Sequence, residues 1–232
     1  MTSALKELAQ IVRTEVVTLH GVTRFSPNRR FATLYSEGSP ADNVYFLESG
    51  LVKTYKRGAE SKEIILEIIL PGELFGLQAL GTERQREVSA EILLEGSIQV
   101  IPSIVFLQFC SLKPDTWRLL TESLLLSKRQ LEKKVELLCL QDVEYRILHF
   151  VAQLAETLGV GAGTDGHERS VPLSQGELAC LIGATRETTS TTLNALARRG
   201  LLRLGRRQLI VPSLEKVRAA VSHSSAHAAP KG

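Results

Sequence analysis

The pattern of apolar and polar positions divides the chain into a β-rich first half and a helical second half. After a helical lead-in over residues 1–24, short apolar segments alternate with glycine-containing turns up to residue 102. The predicted strands are Phe31–Tyr35, Val44–Leu47, Leu51–Tyr55, Ile64–Leu70 and Glu91–Ile101, with turns at Glu37–Pro40, Ser49–Gly50 and Pro71–Gly72. Short strands at this close spacing indicate an antiparallel β-barrel or β-roll.

From Pro114 to about Leu158 the periodicity becomes helical. One stripe recurs at spacings of three, four or seven, with polar Ser127 falling on it, and it consists of Leu120, Leu124, Leu131, Val135 and Leu138. A stripe this long and narrow favours a helix that pairs with its own copy, so we predict a homodimer. The alternative is a helix that packs only on its own barrel.

The C-terminal third predicts two short helices joined by a tight turn. Ser174 can cap the first helix while Glu177 reaches back to it, which makes a capping box. Gly183 permits the turn, and Thr185 can cap a second helix over residues 186–199. Such a pair is typical of a helix-turn-helix that binds double-stranded DNA.

The second helix carries the residues expected to read bases. Thr189, Leu193 and Leu196 share one face and should pack inward. The side chains expected to point outward are Arg186, Glu187, Ser190, Thr191 and Asn194. Arginine can donate two hydrogen bonds to guanine and glutamate can accept one from cytosine, so this face suits the major groove.

Two apolar strands, Leu201–Leu204 and Gln208–Val211, follow around Gly205 and the basic pair Arg206 and Arg207. They predict a hairpin wing whose tip lies along the DNA backbone, with the nearby arginines at 198 and 199 adding to a basic cluster. The alternative is a small helical subdomain with a solvated basic face.

These residues resemble the cyclic-AMP receptor protein / fumarate-nitrate regulator (Crp/Fnr) family over nearly the whole chain. The most specific segments are Leu173–Ala179 and Gly183–Thr188, and the β-region adds Glu37–Leu47 and Leu70–Gly76. Gln141–Ile147 looks like the family's hinge after the long helix.

The resemblance implies an α+β fold in three parts. These are a cyclic-nucleotide-binding-like β-roll (a double-stranded β-helix) with its N-terminal helix over residues 1–113, a dimerisation helix over 114–141, and a winged helix-turn-helix over 142–221. Residues 159–166 read as a glycine-rich loop and 222–232 as a disordered tail. The function implied is DNA-binding transcription regulation, with RNA polymerase as a further partner if the protein is an activator.

The same resemblance assigns roles on the DNA. Arg186 and Glu187 would read bases, while Ser174 and Thr188 would contact phosphate. With the helix starts and the wing tip, the phosphate candidates are Ser174, Gln175, Thr185, Thr188, Arg206 and Arg207. Thr191 stands where many relatives carry a second arginine, so we expect a half-site that overlaps the family's sites without matching them throughout.

The effector is where the sequence departs from the family. A cyclic nucleotide needs an arginine for its phosphate and a carboxylate for its ribose. The carboxylate would follow the glycine matched by Gly76, where Leu77 stands, and the arginine would precede the serine matched by Ser89, where Val88 stands. These departures argue against cyclic AMP.

Further along, the hydroxyl residues that meet adenine align with Leu131 and Glu132. Arg84 and Arg86 are close enough in sequence to leave another anionic ligand as an alternative; their simpler interpretation is a solvated loop. The effector therefore stays unknown at this stage.

Cysteine and histidine usage bears on other cofactors. Cys110, Cys139 and Cys180 form no CxxC pair, which argues against a metal site or an iron–sulfur cluster and favours buried, reduced thiols. His20 and Cys110 are formally available to haem, but a lone histidine at a helix end is usually solvated.

No histidine lies between His20 and His149, which argues against a cupin-type metal enzyme. No catalytic motif is present, so we expect no enzyme activity.

Composition adds limits on location. Of 232 residues, 44% are hydrophobic and 23% charged, as in ordinary soluble proteins, and the net charge of +3 is too small to indicate nucleic-acid binding alone. No apolar run approaches a membrane span and no signal peptide is recognisable, so a cytoplasmic location without a membrane partner is expected.

The alternative function is a cyclic-nucleotide-type sensor whose winged helix binds another protein instead of DNA.

Overall fold

The computed structural model describes residues 3–27, 29–58, 62–158 and 168–227. They belong to two compact units whose boundary lies between Leu131 and Glu132, inside the long helix. The predicted glycine-rich loop lies outside the described residues, as do the last five residues of the predicted tail. The final helix runs to His227, so the tail predicted to start at Ser222 is helical over its first six residues.

The first unit is built on one antiparallel sheet. Its strands run in the order β1-β6-β3-β4, with β2 paired to β6 and β5 paired to β3. Their bounds are β1 Thr23–Phe25, β2 Thr33–Tyr35, β3 Asn43–Arg57, β4 Glu63–Ile69, β5 Leu74–Phe75 and β6 Ser89–Pro102. This confirms the predicted β-roll.

One predicted turn is wrong. Ser49 and Gly50 lie within the continuous strand β3, where the pairing with β6 shifts register on both sides of Ser49. Gly50 has φ +90°, and a Cβ there would lie 2.5 Å from the Leu94 carbonyl oxygen. A Cβ at Gly96 would collide with the Ser49 carbonyl in the same way. The two glycines therefore form a bulge where the strands approach closely, rather than a chain reversal.

Three helices pack on this sheet or extend from it: α1 Ser3–Thr14, α2 Ser103–Leu112 and α3 Asp115–Leu140. The helix α2 was not predicted, because it is apolar on all sides and reads like a strand. One core contains Val12, Phe46, Ile101, Phe106 and Leu119, and each of these five side chains is at most 1% exposed.

In its described residues, the second unit contains the end of α3, four further helices and a small sheet. The elements after α3 are α4 Val143–Leu158, β7 Arg169–Val171, α5 Gln175–Ile182, α6 Arg186–Arg198, β8 Arg203–Gly205, β9 Gln208–Val211 and α7 Leu214–His227. The sheet order is β7-β9-β8, so the predicted hairpin gains a third strand that precedes the two helices. At the hinge, the Asp142 carboxylate accepts a hydrogen bond from Tyr145 N at 2.8 Å and so begins α4.

The thiols differ from expectation at one position. Cys110 is fully buried, and burial raises its pKa to about 11, so it is a protonated thiol at neutral pH. Cys180 is half-buried, whereas Cys139 is exposed on α3, so the buried reading is wrong for Cys139. Within the described ranges, every helix is too short or too polar to cross a membrane.

Candidate DNA-binding site

The predicted capping box at the start of α5 is present. Glu177 N donates to Ser174 Oγ at 3.2 Å, and Ser174 N donates to Glu177 Oε2 at 2.6 Å. The two bonds satisfy backbone groups that a helix start would otherwise leave unpaired. This fixes the first helix of the motif.

The turn after α5 is held from outside the motif. Gly183 takes φ +62°, and a Cβ there would lie 3.2 Å from Leu138 Cδ2 near the end of α3. Arg146 Nη1, from the predicted hinge segment, donates to the Ile182 carbonyl at 2.8 Å. The end of α3 and the start of α4 therefore both contact the turn between α5 and α6. No pattern along the chain indicates the Arg146 contact.

The second helix begins on the predicted cap. Thr188 N donates to Thr185 Oγ1 at 3.1 Å, and Thr189 Oγ1 donates to the Thr185 carbonyl at 2.8 Å. Thr189, Leu193 and Leu196 are fully buried, as their spacing predicts. Burial of this face orients the opposite one outward.

The outward face of α6 holds the predicted base-reading side chains. Arg186, Glu187, Thr191 and Asn194 are exposed, and Ser190 is half-buried at the edge of the same face. Four of these five lie within the first two turns of the helix. These turns are the part that enters the major groove in helix-turn-helix proteins.

Arg186 and Glu187 each lie against neighbouring groups at the start of the motif. The Arg186 side chain lies across the first turn of α5, where a Cβ at position 176 would lie 3.4 Å from its Nε; Gly176 makes that approach easy. The pKa of Glu187 is lowered because its own backbone N–H and the Thr185 hydroxyl donate to the carboxylate, with a smaller contribution from Arg186. Glu187 is therefore a charged acceptor at neutral pH.

The phosphate candidates cluster at the two helix starts and the wing. Thr185 and Thr188 are exposed, with their hydroxyls 3.0 Å apart, while Ser174 and Gln175 are half-buried. The wing is the predicted hairpin: Gly205 pairs with Gln208 across a two-residue turn. Arg206 and Arg207 form that turn and are exposed, and Arg207 takes φ +58°. A left-handed residue is expected in so tight a hairpin.

The basic cluster is smaller than predicted. Arg199 Nη1 lies 2.5 Å from a Glu144 carboxylate oxygen on α4, and Arg203 Nη2 lies 2.5 Å from Glu168. Their charges are compensated within the protein by residues that the local sequence did not indicate. Arg198 is exposed in the last turn of α6.

The stripe on α3 is only partly available to a second copy. Leu124, Leu131 and Val135 are 48%, 47% and 53% exposed, and Leu138 is half-buried. Leu120 is 3% exposed within the core of the first unit, so its assignment to a dimer face is wrong. Leu120 falls on the stripe because the periodicity of apolar residues is the same where the helix packs on its own core and where its face is exposed.

The predicted effector residues separate into two groups. Gly76, Leu77 and Val88 line a cavity of about 510 Å³ in the first unit. Ser89, Leu131, Glu132 and the two arginines, Arg84 and Arg86, are not among its lining residues. Ser89 instead accepts a hydrogen bond from Glu37 N through its hydroxyl, at 3.0 Å.

Arg84 is exposed, as the solvated-loop interpretation expects, but that interpretation is wrong for Arg86. Arg86 is 2% exposed and donates from its two Nη atoms to the carbonyls of Gly76 and Asn43, at 2.8 and 2.6 Å. Its guanidinium stacks on Tyr35, 4.2 Å from the ring centroid. Arg86 therefore links the segments around Gly76 and Asn43 through its Nη atoms, while its buried Nε has no hydrogen-bond partner among the described residues.

Other residues line the same cavity and were missed. Ser123, Ser127 and Gln130 come from α3, and Tyr35 and Glu67 come from the sheet. The three helix residues lie four and three positions apart and therefore share one face of α3. This spacing of polar residues among leucines is a sequence signal by which they could have been predicted. Glu67 and Tyr35 carry no local signal, because only the sheet brings them together.

This architecture defines a DNA-binding protein with a winged helix-turn-helix and a separate sensor-like β-roll. Residues 28–112 match the family model of the cyclic nucleotide-binding domain, and residues 145–220 match that of the Crp-like helix-turn-helix domain.

Similar proteins agree with both matches. The chain is 28% identical over 188 residues to the CRP-like cAMP-activated global transcriptional regulator of Mycobacterium tuberculosis, covering 80% of this chain and 82% of that protein. The structure of FixK2 from Bradyrhizobium japonicum superposes with a TM-score of 0.74 at 25% identity, covering 85% of this chain and 96% of that one. The c-di-GMP responsive regulator CLP of Xanthomonas campestris gives a TM-score of 0.70 at 25% identity, covering 88% and 98%.

The chain belongs to the Crp/Fnr family of transcription regulators. It is a DNA-binding regulator and not an enzyme, which confirms the fold class and the broad function expected from the sequence.

Proposed function

We propose that this regulator binds DNA as a homodimer, reads an inverted repeat with two copies of α6, and responds to an effector in its β-roll other than cyclic AMP. The observation that carries the proposal is the polar, exposed N-terminal face of α6 next to two capped helix starts. In this arrangement Arg186 and Glu187 read bases, assisted by Ser190, Thr191 and Asn194. The helix starts and the wing tip contact phosphates.

The homodimer is supported by the exposed apolar residues of α3. Leu124, Leu131 and Val135 recur at spacings of seven and four, and each is about half exposed. Side chains at this spacing on one long helix fit a second copy of the same helix. Two-fold pairing would place the recognition helices about 34 Å apart, one turn of DNA, which sets the spacing of an inverted repeat.

An effector other than cyclic AMP is supported by the cavity. It carries Leu77 and Val88 where the family's nucleotide site has a carboxylate and an arginine, and Arg86 is engaged elsewhere. Relatives differ in this respect: the Mycobacterium tuberculosis protein is described as cAMP-activated and the Xanthomonas campestris protein as responsive to c-di-GMP. Where the bound sites lie beside a promoter and the protein activates, RNA polymerase is its further partner.

The base-reading role of α6 is tested with Arg186→Ala. Removing one arginine that contacts a guanine should weaken binding to a specific duplex by about 1–3 kcal/mol, or roughly 5- to 150-fold, and relax the base preference at one position of each half-site. The measurement is an electrophoretic mobility shift with the wild-type site and with that position randomised.

Arg198→Ala is the matched control. It removes the same charge from the same helix, about 18 Å further along its axis at 1.5 Å per residue. We expect it to weaken binding at most modestly and without changing base preference. If the two variants bind equally well and with the same preference as the wild type, Arg186 does not read DNA.

A further inference from the structure

The cavity in the first unit is large enough for a small molecule. It is enclosed by strands β4 and β5, the short 3-10 helix Leu77–Leu80 and the first half of α3. Its volume of about 510 Å³ is within the range of small-molecule sites. Because its walls come from both the sheet and α3, a bound molecule would contact both.

The acidic groups that line the cavity are not free negative charges. Glu67 and Glu73 contribute carboxyl groups, and among the described residues no lysine, arginine or histidine lines it. Burial raises the pKa of Glu73 to about 7, so this group is largely uncharged below neutral pH. Glu67 interacts within the protein, where its Oε2 lies 3.5 Å from the Thr54 hydroxyl.

Arg86 supplies a positive charge beside the cavity. It is 2% exposed, its guanidinium lies 4.2 Å from the ring centroid of Tyr35, and both Nη atoms donate to backbone carbonyls. Burial raises the pKa of the Tyr35 hydroxyl, Arg86 lowers it and Glu67 raises it, so one guanidinium and one carboxylate both lie near that hydroxyl. Since these two charges balance, a ligand with a net charge would be desolvated without an uncompensated group of opposite sign, which is unfavourable.

Three buried polar atoms around the cavity have no hydrogen-bond partner among the described residues: the Tyr35 hydroxyl, Gln78 Oε1 and Arg86 Nε. They belong to one cluster, because Arg86 Nη1 donates to the carbonyl of Gly76, two residues before Gln78. Buried polar atoms are almost always paired in folded proteins, so exceptions beside a cavity point to a group that is supplied from outside.

These three atoms differ in what they need. Arg86 Nε can only donate a hydrogen bond, Gln78 Oε1 can only accept one, and the Tyr35 hydroxyl can do both. An ammonium group only donates and a carboxylate only accepts, whereas an uncharged hydroxyl or amide does both. The cluster is therefore complementary to an uncharged polar group.

The rest of the lining suits an aromatic ring. Tyr35 and Phe75 present stacked rings from the sheet, with their centroids 6.5 Å apart, and Trp117 lines the cavity from α3. Aromatic side chains of this kind pack well against a further ring. Ser123 and Ser127 add only uncharged hydroxyls on the α3 side.

We propose that this cavity binds a small uncharged aromatic molecule that carries a hydroxyl or amide group. Its ring packs against Phe75 and Trp117, and its polar group donates to Gln78 Oε1 and accepts from the Tyr35 hydroxyl. The assignment deepens the proposed function, on which it rests, because it gives the effector a chemical class without the charge of a cyclic nucleotide.

The test uses four naphthalene probes that differ in one substituent at the same ring position. They are naphthol (an uncharged donor and acceptor), methoxynaphthalene (an uncharged acceptor), naphthoate (anionic) and naphthylmethylamine (cationic at neutral pH). Each is titrated into the purified protein by isothermal titration calorimetry, without DNA. We expect naphthol to bind about tenfold or more tightly than either charged probe and several-fold more tightly than methoxynaphthalene, and cyclic AMP not to displace it.

Gln78→Leu removes the acceptor and approximately keeps the size of the side chain. It should weaken naphthol binding about 2- to 10-fold, the contribution of one hydrogen bond, and leave methoxynaphthalene binding unchanged. Without ligand, this variant should be at least as stable to heat as the wild type, because it removes a buried unpaired oxygen. Gln108→Leu, at an exposed position of α2 that does not line the cavity, is the matched control and should not change the binding of either probe.

The proposal is overturned if naphthoate or naphthylmethylamine binds as tightly as naphthol, if cyclic AMP displaces naphthol, if Gln78→Leu leaves naphthol binding unchanged, or if no probe binds. Because DNA is absent from these titrations, a protein that shows the expected selectivity but binds no duplex would refute the proposed reading of DNA alone.

Discussion

The contact between the end of α3 and the helix-turn-helix motif can be tested by adding one methyl group. In Gly183→Ala, the new side chain must adopt a left-handed backbone at φ +62°, which costs roughly 1–2 kcal/mol. Its Cβ also lies 3.2 Å from Leu138 Cδ2, so that methyl must move by a few tenths of an ångström. We expect about 1 kcal/mol more for this crowding, at the low end of overpacking costs because the contact is with the end of a side chain.

Gly200→Ala separates these two effects. Gly200 has nearly the same backbone angle, φ +71°, but a Cβ there would meet nothing within 4 Å. This variant should therefore suffer the backbone strain without the crowding. The difference between the two variants measures the packing of Leu138 against the turn.

Amide hydrogen exchange with mass spectrometry is the suitable assay, because it reports local opening free energies in a chain of two units. Exchange of the peptides over residues 175–198 should accelerate about 5- to 30-fold in Gly200→Ala, since 1.4 kcal/mol corresponds to a factor of ten. In Gly183→Ala it should accelerate about fivefold further. Equal acceleration in the two variants would refute the inferred contact between Leu138 and the turn.

Two further predictions concern the first unit and α3. Leu131→Glu places a charge on the exposed stripe and should raise the dimer dissociation constant by about 100-fold or more, because each copy would bury an unpaired carboxylate. Sedimentation velocity measures this dissociation constant. Leu112→Glu, at an 83% exposed residue outside α3, is the control and should leave the dimer intact. Burial raises the pKa of Glu73 to about 7 from 4.5, an effect that Glu67 increases and the hydrogen bond from Leu70 N opposes. The folded protein then holds a proton that the unfolded chain releases, so stability should fall as the pH rises from about 4.5 to about 7. Glu73→Gln keeps an acceptor for Leu70 N and should make stability depend less on pH over this range. The measurement is the thermal midpoint, followed by Trp117 fluorescence, as a function of pH. Parallel curves of midpoint against pH for the two proteins would show that Glu73 is not the cause.

The sequence predicted best the features that depend on neighbours along the chain. The capping box of Ser174, the turn at Gly183 and the inward face of Leu193 each depend on residues within a few positions, and all three are found. The hairpin around Arg206 is local in the same sense. Such elements are specified by helix caps, turn residues and periodicity, which can be read without a fold.

The errors arise where distant segments meet. The Ser49–Gly50 segment reads as a turn, but pairing with residues almost 50 positions away keeps it in a strand. Arg86 reads as a solvated loop residue until Tyr35 and the Gly76 carbonyl surround it. Leu120 follows the same helical period as Leu124, yet only the packing of α1 and α2 around it determines that it is buried. Burial and ion pairing of this kind require the tertiary structure.

The central claim, that two copies of α6 read an inverted repeat, is tested most directly by selection from a random duplex library. The purified protein is incubated with the library, and the retained duplexes are sequenced. The account predicts an inverted repeat whose half-sites are centred about one helical turn apart, with a base preference that Arg186→Ala relaxes. Recovery of isolated half-sites as efficiently as of inverted repeats would contradict it.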